Sequence, residues 1–247
     1  MARTPGKVVF REYQTHDPVG ARRFYGGLFG WTFEQAADYT AILRGETQVG
    51  GLFDLARLPS GGQGQPAQWY GYVSVPDVDA AAARASATGG QIRFGPEDLP
   101  GIGRVAFVGD PQGGGLYLFD RAGGDPPAAP PVTGDFAFEL LNAPDPATLA
   151  PFYAGVVGWT QAAMGPMPMF QDAAGQFVSV VAPAPPGVPA HWITHVVVDD
   201  LAAANDRAMA LGGEVLEPRI DVPGYGAFAL IKDPAGAVIM TFLPVVE

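Results

Sequence analysis

Asp98-Leu99-Pro100-Gly101-Ile102-Gly103 returns later in the chain as Asp221-Val222-Pro223-Gly224-Tyr225-Gly226. The spacing of 123 residues is kept on both sides: Trp69 and Trp192, Asp77 and Asp200, Gly89-Gly90 and Gly212-Gly213, Asp110-Pro111 and Asp233-Pro234, Phe119 and Phe242. A second set repeats at a spacing of 128: Asp17-Pro18 and Asp145-Pro146, Phe24-Tyr25 and Phe152-Tyr153, Gly30-Trp31 and Gly158-Trp159. Fixed periods of this kind mark a repeat architecture, and here they read A-B-A′-B′.

The Pro-rich stretch Arg121 to Thr133 (RAGGDPPAAPPVT) separates the halves, because such composition favours extended chain over a packed core. Shorter breaks fall at Leu58 to Pro66 and Pro183 to Pro189. The expected layout is a first domain at 1–121 (modules 7–57 and 67–121), a linker at 122–133, and a second domain at 134–247 (modules 134–183 and 189–244). Modules this short bury too little surface alone, so they must pack in pairs, and the first module's partner is either the second or the fourth.

Within B, Trp69 to Val75 is aromatic and β-branched and reads as a strand. Asp77 then offers a carboxylate to the first N–H groups of an Ala-rich helix over Val78 to Thr88, which Gly89-Gly90 ends. Strands follow at Gln91 to Phe94, Gly103 to Gly109 and Gly115 to Phe119, the last two joined by the turn Asp110-Pro111-Gln112-Gly113. Module A repeats the order: a strand at Val8 to Tyr13, a helix from Asp17-Pro18 carrying Phe24, Tyr25 and Leu28, and strands at Thr40 to Leu43 and Val49 to Leu55. The fold class expected is α+β, built from four βαβββ modules.

Composition narrows the function. With 25 Asp and Glu against 14 Lys and Arg, the net charge is −11, which opposes binding to nucleic acid or to an anionic membrane. The chain has no cysteine, so disulfides, thiolate metal sites and cysteine nucleophiles are excluded. Met1 to Phe10 lacks an apolar signal core, and no apolar run is long enough to span a bilayer. A cytoplasmic protein, monomer or homodimer, is the expectation. No GxSxG elbow or P-loop is present.

Strand period two gives first-strand residues two apart a common face. Phe10 and Glu12, Tyr70 and Tyr72, and Ile193 and His195 therefore form pairs. With Trp69, Trp192, Phe138, Glu139, Tyr117 and Met240 they are the candidate ligand-contacting residues, and Glu12 and His195 are the candidate acid–base groups. Glu139 points inward only if a bulge shifts its register, since Leu140 is the residue spaced 128 from Glu12. Plainer roles stand beside these: aromatics can fill a core, Glu12 can pair with Arg11, Arg22 or Arg23 at a rim, and His195 can be a hydrogen-bonded structural residue.

The residues Asp17…Phe24-Tyr25…Leu28-Phe29-Gly30-Trp31, Asp145…Phe152-Tyr153…Gly158-Trp159 and the Asp-Pro-x-Gly turns at Asp110 and Asp233 resemble the vicinal oxygen chelate superfamily of glyoxalases, extradiol dioxygenases and bleomycin-resistance proteins. More narrowly, the chain is similar to tandem glyoxalase-like proteins of actinobacteria labelled hydroxylases. The resemblance implies modules paired into two incomplete barrels, each with a ligand cleft. It also implies a divalent metal held by His, Glu or Gln on first strands and Glu on last strands. The positions that match are Phe10, Tyr70, Phe138 and Ile193, then Tyr117 and Met240, none of them a suitable ligand for such an ion. The reading is a metal-independent protein, without cofactor, binding a small hydrophobic or aromatic ligand, cationic ones included. Sequestration of the bleomycin-resistance kind is one form of it. The alternatives are a glyoxalase-like lyase or isomerase, or other enzyme of this superfamily, using Glu12 or His195, and a degenerate structural protein.

Overall fold

The computed structural model describes residues 3–36, 39–58, 62–164 and 167–245. Part of the expected break at Leu58 to Pro66, residues 59–61, lies outside the described residues.

Each repeat is a βαβββ module. The first has β1 (Val8–Thr15), α1 (Pro18–Phe29), β2 (Thr32–Ala36), β3 (Tyr39–Arg44) and β4 (Thr47–Asp54). The second has β5 (Gln68–Ser74), α2 (Val78–Ala87), β6 (Gln91–Leu99), β7 (Gly103–Gly109) and β8 (Gly115–Arg121). The third has β9 (Phe136–Ala143), α3 (Ala150–Val157), β10 (Thr160–Met164), β11 (Met167–Gln171) and β12 (Phe177–Pro183). The fourth has β13 (His191–Val197), α4 (Leu201–Ala210), β14 (Glu214–Val222), β15 (Gly226–Lys232) and β16 (Val238–Pro244). The strands form two eight-stranded mixed sheets, ordered β2-β3-β4-β1-β5-β8-β7-β6 and β10-β11-β12-β9-β13-β16-β15-β14. In every module the first and last strands pair in parallel and the others antiparallel.

The helix starts follow the sequence in three modules. The side chains of Asp17, Asp77 and Asp200 accept from the backbone N–H of Gly20, Ala80 and Ala203 at 2.8, 2.9 and 3.0 Å. Asp145 differs. It makes no side-chain cap, the chain turns through a 3-10 segment at Pro146–Thr148, and α3 begins only at Ala150. Strand β6 runs five residues past its expected end at Phe94, and the first of the three strands expected after α1, which the sequence does not position, is β2. β6 is an edge strand exposed along most of its length, so it lacks the hydrophobic alternation that would reveal it.

Packing divides the chain into two compact units, and the grouping differs from the chain-order domains 1–121 and 134–247. The first unit holds Met1–Phe10, Tyr70–Ala128 and Phe138–Trp192. Its core joins Val78, Ala81, Ala82 and Ala85 of α2 to Phe152, Tyr153, Val156 and Val157 of α3. The second unit holds Arg11–Trp69, Ala129–Ala137 and Ile193–Glu247, and its core joins Ala21, Phe24, Tyr25 and Leu28 of α1 to Leu201, Ala204 and Ala208 of α4.

The Gly-Gly repeats explain this pairing. Gly89 and Gly212 carry φ of +89° and +90°, the left-handed turn that ends α2 and α4. A Cβ on the next residue, Gly90, would lie 2.7 Å from the Phe152 ring, and one on Gly213 would lie 2.7 Å from the Phe24 ring. The second glycine thus admits the Phe of the Phe-Tyr pair from the partner module. The Asp-Pro-x-Gly aspartates receive the Tyr. Asp110 Oδ1 accepts from the N–H of Gln112 and Gly114 at 2.7 and 3.1 Å, and its Oδ2 accepts from the Tyr153 hydroxyl at 2.6 Å. Asp233 Oδ1 accepts from Ala235 and Ala237, and its Oδ2 accepts from both Tyr25, at 2.8 Å, and Tyr13.

Candidate functional site

In the first unit, alternation along the strands of the second module sends one set of side chains to the helices and leaves the other on the opposite face. Val73, Ala106, Val108, Leu116 and Leu118 pack into the core. Tyr70, Tyr72, Phe107 and Tyr117 take the other face and are only half-buried. Tyr72 and Tyr117 are stacked with ring centroids 4.3 Å apart, and Tyr117 stacks on Phe107 at 4.6 Å. Tyr70 meets Phe107 edge-on at 5.0 Å, and Phe10 meets Tyr72 edge-on at 5.4 Å. The sheet registers Tyr72↔Tyr117 and Phe107↔Tyr117 hold these rings in line across β5, β8 and β7. Burial raises the Tyr70 pKa, and the charge of Arg93 partly offsets this. The result is a wall of aromatic rings whose exposed surface suits another flat or apolar molecule.

Four of the expected ligand-contacting residues, Phe10, Tyr70, Tyr72 and Tyr117, therefore come together. Two others do not join them. Trp69 is 2% exposed in the second unit's core, wedged among Tyr13, Tyr25, Trp31 and Phe136, with its indole N–H donating to Tyr25 at 2.9 Å. Trp192 is 5% exposed in the first unit's core, against Tyr153 and Trp159. Each precedes by one position a residue of the opposite strand face, Tyr70 or Ile193, so alternation turns it to the helices. Glu139 takes the core side as well. It shares a strand face with Leu141 and Ala143 and lines a small pocket with Val8, Trp159 and Trp192. Phe138 stands on the other face of β9, packed against Phe177 at 4.6 Å.

The fourth module, in the second unit, is fully buried where the second is half-buried. Its residues spaced 123 from Tyr70, Tyr72 and Tyr117 are Ile193, His195 and Met240, which are 2%, 2% and 6% exposed. His195 faces Met240 across the β13–β16 ladder and meets the Phe228 ring edge-on.

Glu12, also in the second unit, is buried and accepts a hydrogen bond from Gln14 at 2.8 Å. Its negative charge adds to burial in raising the pKa of Tyr39, whose hydroxyl oxygen accepts from Gln48 at 2.8 Å. The arginines weighed as its partners are engaged elsewhere too: Arg11 lies over the Phe136 ring, and Arg22 donates to Gln35 and Thr40. Arg22, Gln35, Tyr39, Thr40, Asp54 and Arg57 line a cleft of about 60 Å³.

Sequence reasoning missed Phe107 and Arg93. Phe107 was within reach, because a hairpin closed at Gly109 and Gly115 pairs residue 107 with residue 117. Arg93 was not, for the reason that its strand is bulged there.

The donor groups of the described residues do not fit the divalent metal that this fold carries in some proteins. Among the described residues, no three His, Cys, Asp or Glu side chains cluster to hold an ion. At the positions where the resemblance implies ligands, the chain has Phe10, Tyr70, Tyr117, Phe138, Ile193 and Met240.

Fold and repeat together define the class, and comparison with known proteins agrees. Residues 8–116 match the Glyoxalase/Bleomycin resistance protein/Dioxygenase superfamily and residues 138–242 match the Glyoxalase-like domain. The chain belongs to this superfamily. It is 32% identical over 252 residues to a Mycobacterium tuberculosis protein named "Putative glyoxylase CFP32", covering 94% of this chain and 93% of that one. It is 30% identical over 261 residues to "Anthracycline biosynthesis protein DnrV" of Streptomyces peucetius, covering 94% and 91%. The Mn(II)-bound glyoxalase from Novosphingobium aromaticivorans shares the fold, with a TM-score of 0.65 over 100% of this chain and 84% of that one at 17% identity. No helix among the described residues is long and apolar enough to cross a membrane.

Proposed function

We propose that this protein binds a small, flat aromatic molecule on the face formed by Tyr70, Tyr72, Phe107 and Tyr117, by contact and without a metal ion. The observation that carries this is the half-buried state of four rings held in register on one sheet face, where the corresponding face of the fourth module is closed. Half-exposed rings cost free energy in water and recover it when a ligand covers them. The name of the Streptomyces relative supports the ligand class, since anthracyclines are flat polycyclic aromatics. The test is a thermal-shift and fluorescence titration with a hydroxyanthraquinone. Binding should raise the melting temperature in wild type, as mass action requires. Tyr72→Ala and Tyr117→Ala should abolish the rise while the proteins stay folded. An unchanged titration in both variants rejects the site.

A second reading has one observation in its favour, the buried Glu12 carboxylate close enough to Tyr39 for its charge to act there. In that reading Glu12 is the base of a metal-free lyase or isomerase, which the glyoxylase name of the mycobacterial relative favours. Its test is Glu12→Gln, which must remove any turnover of an α-hydroxy thioester or hemithioacetal while leaving the melting temperature near that of wild type.

A further inference from the structure

The aromatic face ends at a cation placed by a bulge. In the β6–β7 ladder, Gln91 pairs with Gly109, Ile92 with Val108 and Phe94 with Phe107, so Arg93 is the extra residue. A bulge of this kind re-aims the side chain it carries. Arg93 is re-aimed onto the ring wall: its guanidinium carbon lies 5.7 Å from the centre of the Phe107 ring.

Two glycines make room for it. Gly109 and Gly115 are partners across the β7–β8 ladder. A Cβ on Gly109 would lie 2.6 to 2.7 Å from the guanidinium atoms of Arg93, and one on Gly115 would lie 2.6 Å from Phe107 and 3.3 Å from Arg93. The side chain therefore lies across a floor that only glycine leaves open. Its hydrogen bond goes to a neutral acceptor, the Gly113 carbonyl, at 3.2 Å, and among the described residues no carboxylate pairs with it. In a chain with 25 acidic and 14 basic residues, a cation seated beside rings and left without an acid partner is a directed feature.

The repeat supplies an internal comparison. The fourth module has the same bulge, with Val215 opposite Ile231 and Glu217 opposite Leu230, so its extra residue is Leu216. The positions of the two glycines are taken there by Lys232 and Val238, and that of Phe107 by Leu230. The second and fourth modules share the bulge, but the arginine, its glycine floor and the adjoining rings occur in the second and not in the fourth.

We infer that the ligand of the aromatic face is an aromatic anion, whose carboxylate or ionised phenolic oxygen is held by Arg93 while its rings lie against Tyr70, Phe107 and Tyr117. The inference rests on the aromatic-face reading and sharpens it. A guanidinium offers paired N–H donors to such an oxygen group, and charge-assisted bonds of this type are strong and selective. The net charge of −11 repels anions in general, so a preference for an anionic ligand must arise locally.

The experiment compares anthraquinone-2-carboxylate with its neutral carboxamide by fluorescence titration at neutral pH. Wild type should bind the carboxylate about tenfold more tightly, the scale of one hydrogen bond to a charged group. Arg93→Gln should bring the two affinities together. Gly109→Ala keeps the charge but pushes the guanidinium aside, and it should erode the preference as well. If wild type binds both compounds equally, or if Arg93→Gln keeps the preference, the assignment to Arg93 fails while the aromatic face stands. If wild type binds neither, both readings fall together.

Discussion

The Tyr25 hydroxyl donates to Asp233 Oδ2 at 2.8 Å, joining residues 208 positions apart in the sequence. The bond couples two repeated motifs, the Phe-Tyr pair of one module and the Asp-Pro-x-Gly turn of another. Tyr153 and Asp110 make the same link in the first unit. The difference lies in a third residue. Tyr13 also donates to Asp233, whereas Leu141 stands at the position spaced 128 from it.

That difference sets a graded prediction. Asn in place of either Asp keeps the Oδ1 acceptor of the turn but sets a donor NH2 against the phenols. At Asp233 two buried hydroxyls lose their acceptor, and at Asp110 one does. Asp233→Asn should cost about 3 kcal/mol and Asp110→Asn about half as much, on the scale of 1–3 kcal/mol for an unsatisfied buried group. Urea unfolding of the two variants measures both. Equal losses would show that Tyr13 contributes nothing to the link.

The same phenols predict the behaviour in alkali. Burial, reinforced by the neighbouring carboxylates, raises the pKa of Tyr13, Tyr25 and Tyr153 above 10.0, the ordinary value. The folded state thus holds protons that the unfolded state would release. Their contribution to stability is complete below pH 10 and is lost as pH rises toward the folded-state values. Tyrosinate absorbance should therefore rise in a late step that coincides with the loss of near-ultraviolet circular dichroism. A smooth titration of all eight tyrosines near pH 10, with the fold intact, would contradict the network.

Mutation also separates wall from core. Trp69→Ala removes a side chain 2% exposed and should cost about 3–5 kcal/mol, the usual loss for a large core aromatic. Tyr117→Ala removes a half-buried ring and should cost roughly 1–2 kcal/mol while abolishing ligand binding. A Trp69 variant as stable as wild type would return that residue to the ligand face.

Much of this was legible from the repeat. Constant spacings of 123 and 128 gave the four modules, and Asp and Gly punctuation gave three of the four helix starts. The α+β class and the superfamily followed from these. Side-chain direction was harder. Alternation gave Tyr70 and Tyr72 a common face, as they have in the structure, but Trp69, one residue earlier, was grouped with them and faces the other way. Glu139 was expected inward only through a bulge, and β9 keeps regular pairing from Glu139 to Ala143. The bulge that matters fell at Arg93, in a strand whose exposed residues give no periodic signal. Which modules share a core is set by the fit of Phe152 to Gly90 and of Phe24 to Gly213, a close approach that spacing alone does not reveal.

The donor set leads to the final prediction. A transition ion in this fold needs several His or carboxylate groups converging from strand faces, and the matching positions here hold Phe10, Tyr70, Tyr117, Phe138, Ile193 and Met240. Aromatic carbon, an aliphatic side chain, neutral phenols and one thioether give hard or borderline ions too little to displace their water. The candidate acid–base groups do not repair this: His195 is buried against Phe228, Glu12 accepts from Gln14, and both belong to the other unit from the ring wall. Dialysis against a chelator should leave both the melting temperature and hydroxyanthraquinone affinity unchanged, and added Mn(II) or Zn(II) should give no saturable shift in melting temperature. A shift that saturates at one equivalent, accompanied by tighter ligand binding, would place an ion in the site and overturn the contact-only reading.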